Sequence, residues 1–149
     1  MKEKVILLVD ADADCAGIVL EAGARTGHVV RLSRDGPEAL GFLNHEFDRI
    51  DCLIVDIDPG SHGMALLAAL CALWRHLPVI VLTASEESYV KPVVSRHGAD
   101  ACLGKPLSIE RLRRVIDCLV RDESDQEISC DLWGHPFGRA TEIENAAHA

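Results

Sequence analysis

Apolar positions along this chain follow two alternating patterns. Four short runs are continuous and rich in Val, Ile and Leu: Val5–Val9, Cys52–Val55, Val79–Leu82 and the weaker Ala101–Leu103. Runs of this kind read as strands of a parallel sheet with helices on both faces. A fifth stretch, His28–Ser33, half alternates, as an edge strand does. In chain order these predict β1 (Val5–Val9), β2 (His28–Ser33), β3 (Cys52–Val55), β4 (Val79–Leu82) and β5 (Ala101–Leu103). Helical spacing fills the intervals. The segment α1 (Cys15–Arg25) places Cys15, Ile18, Val19 and Ala22 on one face. Next, α2 (Pro37–Phe47) opens with a proline suited to a helix N-terminus and lines up Leu40, Leu43 and Phe47. The third, α3 (Met64–Trp74), carries Leu66, Leu67, Leu70, Leu73 and Trp74, and α4 (Glu86–His97) is the most polar. Finally α5 (Ser108–Val120) opens with a serine cap, has Glu110 in its first turn and aligns Leu112, Val115, Ile116 and Leu119.

A β-α unit repeated five times predicts an α/β, doubly wound, five-stranded parallel sheet with right-handed crossovers. Five units in about 120 residues fit the flavodoxin-like (βα)5 sandwich, order 2-1-3-4-5. Sites in such sheets lie beyond the carboxyl ends of the strands, at the switch point between β1 and β3.

Composition narrows the function. The 149 residues suffice for one domain that folds without disulfides or metals. Acids outnumber Lys and Arg by 24 to 15, a net charge of -9. Such a surface repels phosphate backbones and argues against direct nucleic-acid binding. No apolar run approaches the roughly 18 residues of a membrane span. The apolar run after Met1-Lys2-Glu3-Lys4 is too short for a signal peptide, so a cytoplasmic chain is expected. The six cysteines are scattered without a C-x-x-C pair, which argues against zinc. They are expected as reduced thiols, with Cys52 and Cys102 as small buried hydrophobes, and His62 as a solvated loop residue.

The strand ends carry the chemistry. Asp10 follows β1, with Asp12 and Asp14 close behind. Asp56 and Asp58 follow β3, Thr83-Ala84-Ser85 follow β4, and Gly104-Lys105-Pro106 follow β5. Taken singly, each has an ordinary explanation: Asp12 or Asp14 as a helix cap, Thr83 as a capping hydroxyl, Lys105 as a surface charge. Together they bring carboxylates, a hydroxyl and a lysine to one sheet edge. Clustered carboxylates need a cation, and oxygen ligands suit Mg²⁺. A carboxylate can attack phosphorus while metal and lysine neutralise the phosphoryl oxygens.

The segments VILLVDAD, DCLIVDIDPGSHG, PVIVLTAS and GADACLGKPLSIERL, in order over residues 4 to 120, resemble the signature stretches of response-regulator receiver domains. Asp35-Gly36, followed by Glu38-Ala39-Leu40, is similar to that family's β2–α2 turn. The resemblance implies that Asp56 is the phosphoacceptor, Thr83 the switch hydroxyl and Lys105 the ion-pair partner of the phosphoryl group. It implies Mg²⁺ held by Asp10, Asp56 and the backbone carbonyl of Asp58, and a cis Lys105–Pro106 bond. Its donor would be a sensor histidine kinase or phosphotransfer protein. Its output would be a shift of the α4-β5-α5 face, often with homodimer formation there. Receivers of this kind turn over no separate substrate.

Three positions depart from the family pattern. Ala11 replaces the second of two adjacent acids, leaving Asp12 or the Asp58 side chain as candidate substitutes at the metal. The loop Ile57-Asp58-Pro59-Gly60 is one residue short before its proline. Cys102 stands where an aromatic usually follows the switch hydroxyl. These departures frame an alternative, a degenerate receiver acting as a phosphorylation-independent binding module. A third reading, a small phosphohydrolase of the haloacid-dehalogenase type, rests on the D-x-D of LIVDIDPG. In that family the D-x-D strand comes near the N-terminus.

Residues 1–120 are thus expected as the receiver domain and 121–149 as a linker and tail. The charged Arg121–Glu127 precedes Cys130–Gly138, where Trp133 and Phe137 among Gly and Pro suggest a docking patch. The tail shows no helix-turn-helix pattern.

Overall fold

The computed structural model describes residues 3–9, 12–46, 49–57, 63–73 and 76–120. Within them, strands and helices alternate as β1 (Val5–Val9), α1 (Ala13–Thr26), β2 (Val29–Ser33), α2 (Gly36–Glu46), β3 (Cys52–Asp56), α3 (Gly63–Leu73), β4 (Val79–Thr83), α4 (Glu87–Arg96), β5 (Ala101–Gly104) and α5 (Ile109–Val120). All neighbouring strands pair in parallel, in the order β2-β1-β3-β4-β5. This is the expected flavodoxin-like sheet, with β2 at one edge.

The continuous apolar runs are explained by the two faces. Successive strand residues point to opposite sides. Ile6, Leu8, Ile54, Ile80 and Leu82 pack with Val19 of α1 and Leu112 and Ile116 of α5. On the other side, Leu7, Val9, Leu53, Val55 and Val81 pack with Leu43 of α2, Leu67 and Leu70 of α3 and Val94 of α4. Both faces of β3 and β4 are therefore buried, and neither strand can afford alternation. The edge strand β2 leaves Val29 and Leu32 exposed.

Local chemistry sets the helix ends. Asp12 caps α1, accepting from the Cys15 N–H at 2.8 Å. Gly27 ends α1 at φ 77°, a left-handed conformation that glycine adopts without strain. Asp35 accepts from Glu38 N–H ahead of α2, and Ser108 accepts from Arg111 N–H ahead of α5. Three strands run one residue further than their apolar runs, because the ladder carries Asp56 opposite Leu82 and Thr83 opposite Gly104. The polar site residues are thus held by strand pairing. Trp74, the intended end of α3, lies outside the described residues.

Candidate functional site

Asp56 is the last residue of β3, the central strand, and is only 3% exposed. Lys105 follows β5, and its backbone N–H extends the ladder by donating to Thr83 O at 2.8 Å. From that fixed position its ammonium donates to Asp56 Oδ2 at 2.5 Å and to Asp12 Oδ2 at 3.1 Å. The Lys105–Pro106 peptide is cis, as the resemblance implied. Lys105 is mostly buried, so its charge is poorly screened where it meets Asp56.

Asp12 divides its carboxylate between two tasks. Oδ1 accepts from the Cys15 N–H, and Oδ2 meets Lys105. The Cys15 N–H bond, then the Lys105 ammonium, hold this carboxyl below its ordinary range. Thr83 is buried at the end of β4, one residue past the Asp56–Leu82 pair. Its Oγ1 accepts from Ser85 N–H at 3.0 Å. The structure thus brings together Asp12, Asp56 and Lys105, with Thr83 on the adjoining strand end. Asp10, Asp58 and His62 lie outside the described residues.

Mg²⁺ commonly takes one or two carboxylates, with water and phosphate oxygens completing its shell. Among the described residues no group of three or more His, Cys, Asp and Glu forms a ready-made metal site. Two carboxylates, from Asp12 and Asp56, nevertheless face one cationic position, where the Lys105 ammonium stands. Carboxylate oxygens are donors of the kind Mg²⁺ takes, and in this structure one oxygen of each meets the Lys105 ammonium.

A second polar cluster adjoins the first. Glu87, the first residue of α4, takes a bidentate ion pair from Arg111 of α5 at 2.6 and 2.7 Å. Its Oε2 also accepts from Gly104 N–H at 2.9 Å, and Lys91 Nζ lies 3.2 Å from Oε1. Arg111, followed by the Gly104 bond and Lys91, draws its pKa down to about 2 against the opposing effect of burial. A cleft of about 470 Å³ beside this cluster is lined by Ser85, Glu87, Gly104, Lys105, Ser108 and Arg111, among others. Sequence reasoning passed over the cluster. The available signal was Arg111 itself: a cation in the first turn of a helix opposes the macrodipole and calls for an acid nearby.

The cysteines depart in part from the reading as reduced thiols. Cys15, Cys52 and Cys102 are buried free thiols, as expected for small hydrophobes. Cys118 on α5 is disulfide-bonded, so that reading does not hold for every cysteine. The scattered spacing gave no sign of it, since residues that bridge need proximity in space alone.

Comparison with known proteins agrees with the fold. The profile described as "Response regulator receiver domain" matches residues 6–117. The chain is 34% identical over 123 residues to the two-component response regulator ARR12 of Arabidopsis thaliana, covering 81% of this chain and 20% of that protein. It is 32% identical over 117 residues to the response regulator MprA of Mycobacterium ulcerans, covering 78% and 50%. The chain therefore spans between a fifth and a half of the length of these relatives. Among solved structures, a putative response regulator from Chloroflexus aurantiacus superposes with a TM-score of 0.72 at 28% identity, over 80% of this chain and 98% of the other. A response regulator from Thermotoga maritima shares the fold with a TM-score of 0.72 at 22% identity, over 80% and 98%.

Proposed function

This chain belongs to the response-regulator receiver family, and from that premise we propose that Asp56 accepts a phosphoryl group from the phosphohistidine of a sensor histidine kinase or phosphotransfer protein. One observation carries the reading: a buried carboxylate at the end of the central strand, paired with an ammonium from the end of β5. A lone buried carboxylate would be costly, and a permanent buried ion pair adds little net stability. The pair makes sense where the carboxylate is to gain charge.

In the proposed reaction an Asp56 oxygen attacks phosphorus. An O–P bond forms, the P–N bond to the donor histidine breaks, and the leaving imidazole takes the electron pair and a proton from solvent. Lys105 shifts from the carboxylate toward a phosphoryl oxygen. Thr83 donates its O–H to another oxygen, while Asp12 keeps the ammonium from withdrawing. Asp10, Asp56, the Asp58 carbonyl and Asp12 or the Asp58 side chain would hold Mg²⁺, which neutralises phosphoryl charge when bound. Output would pass through the α4-β5-α5 face, with homodimerisation there.

We assign residues 1–120 to the receiver and 121–149, outside the described residues, to a linker with a docking patch around Trp133. The reading places the chain in the cytoplasm with its donor, with no direct nucleic-acid contact and no turnover of a separate substrate. Among the described residues no helix is long and apolar enough to cross a membrane.

The test is intact-protein mass after incubation with acetyl phosphate, with and without Mg²⁺, beside Asp56→Asn. A Mg²⁺-dependent, base-labile adduct absent from the variant supports the reading. No adduct at any Mg²⁺ concentration leaves the second one, a phosphorylation-independent binding module. That alternative is favoured by Ala11, which removes one acid from the metal edge. Turnover of a generic phosphate ester would instead favour the phosphohydrolase.

A further inference from the structure

We propose that Glu87 is a positioning residue for Lys105, acting through the backbone N–H of Gly104; this rests on the reading of Asp56 as phosphoacceptor. β5 is an edge strand, so only alternate N–H groups find β4. Lys105 N–H turns inward to Thr83 O, and Gly104 N–H therefore turns outward, away from the sheet. Among the described residues no strand lies there. The Glu87 carboxylate takes the place of one, accepting that N–H at 2.9 Å. The peptide that carries Lys105 is thus held from both sides, by Thr83 O and, one residue back, by Glu87.

The carboxylate is itself fixed. Arg111 grips both oxygens in fork geometry, and Lys91 approaches Oε1. Glu86, the residue that caps α4, makes no side-chain capping bond, and Glu87 spends its carboxylate across the gap. Residue 104 must be small for this to occur. A Cβ there would lie 2.9 Å from Glu87 Oε2 and 3.2 Å from its Cγ.

Glu87 lies four residues after Thr83, and Gly104 one before Lys105. One carboxylate therefore ties α4, β5 and α5 together beside both residues that would contact the phosphoryl group. Cys102 leaves that face without the family's usual aromatic, and the Glu87 clasp supplies a polar connection between the same elements.

The experiment uses the full chain and three readouts: amide exchange at Gly104, acylation of Lys105 by an amine-reactive ester, and the initial rate of Asp56 labelling by acetyl phosphate. The wild-type Gly104 amide should be protected. Glu87→Ala should expose that amide, speed Lys105 acylation and slow labelling about tenfold, the scale of a modest misplacement of a catalytic group. Glu87→Gln still offers a carbonyl to the N–H, so labelling should stay within about twofold of wild type although the ion pair is lost. A role confined to stability would lower the unfolding midpoint of both variants and leave both rates alone. If Glu87→Ala does not fold, Gly104→Ala carries the same expectations by crowding the carboxylate off the N–H. An unprotected wild-type Gly104 amide, wild-type rates in Glu87→Ala, or a Gln variant as slow as the Ala variant would overturn the proposal. A wild-type chain that takes no label removes the phosphoacceptor reading alone, because Lys105 acylation still reports its placement.

Discussion

Lys105 and Asp56 are 49 residues apart in the chain, yet Lys105 Nζ lies 2.5 Å from Asp56 Oδ2. Each is delivered by a strand end: Asp56 closes β3, and Lys105 continues the β5 ladder by its bond to Thr83 O. The pair is buried, with side-chain exposures of 15% for Lys105 and 4% for Asp56. Removing one partner and removing both should therefore differ.

Lys105→Met should destabilise the fold by about 2 kcal/mol, because Asp56 loses its ammonium in a poorly solvated place. Adding Asp56→Asn should restore part of that loss, since the uncompensated charge goes with it. Urea unfolding of the two single variants and the double variant checks this. Equal, additive losses would mean that the two side chains are not energetically coupled.

Asp12 has two roles that substitution can separate. Asp12→Ala should cost about 1 kcal/mol through the lost α1 cap, whereas Asp12→Asn keeps a capping oxygen and most of the stability. If Asp12 stands in for the acid missing at Ala11, both variants should lose Mg²⁺ affinity by about tenfold. Calorimetric titration with Mg²⁺ decides it. Wild-type affinity in Asp12→Asn would return the substitute's role to Asp58.

The fold was legible because both faces of the sheet are covered. Leu7 and Leu8 point opposite ways and both need apolar contacts, so β1 reads as a continuous run. The candidate site was legible in part, because strand order brings Asp12, Asp56, Thr83 and Lys105 to one edge, whatever their side chains do there. Side-chain commitments left no such trace. Asp12 looks the same in sequence as a cap, a ligand or both, and only the structure shows its two oxygens divided. Glu87 and Arg111 are 24 residues apart on two helices, and no periodicity links them. The Cys118 disulfide likewise left no signal in the cysteine spacing.

The buried thiols should be inert in the native protein. Burial pushes Cys15 and Cys102 up to about 11, and Cys52 further still. Thiolate is the nucleophile, so almost none is present near neutrality. Iodoacetamide at pH 7.5 should leave all three unmodified in the folded chain and alkylate all three in denaturant. Rapid native alkylation of Cys15 would show that the start of α1, beside Lys105, opens.

At the opposite end of the strands, His28 should make the fold sensitive to acid. Its Nδ1 accepts from Lys4 N–H at 3.1 Å, so the neutral ring carries its proton on Nε2, which is buried with no hydrogen-bond partner among the described residues. Burial lowers its pKa, with Lys4 acting in the same direction, while Asp117 of α5, Asp51 and Glu3 oppose it. Protonation would turn Nδ1 into a donor facing another donor, at the point where Val29 N–H meets Lys4 O and β1 joins β2. A depressed folded-state pKa means that the unfolded chain binds the proton first. The contribution of His28 is complete above the ordinary histidine value of about 6.5 and declines as pH falls below it toward the folded pKa. Urea midpoints measured from pH 7.5 to 5 should fall more steeply for the wild type than for His28→Gln, which keeps an acceptor for Lys4 N–H without titrating in that range. Parallel curves would show that the acid sensitivity lies in other groups.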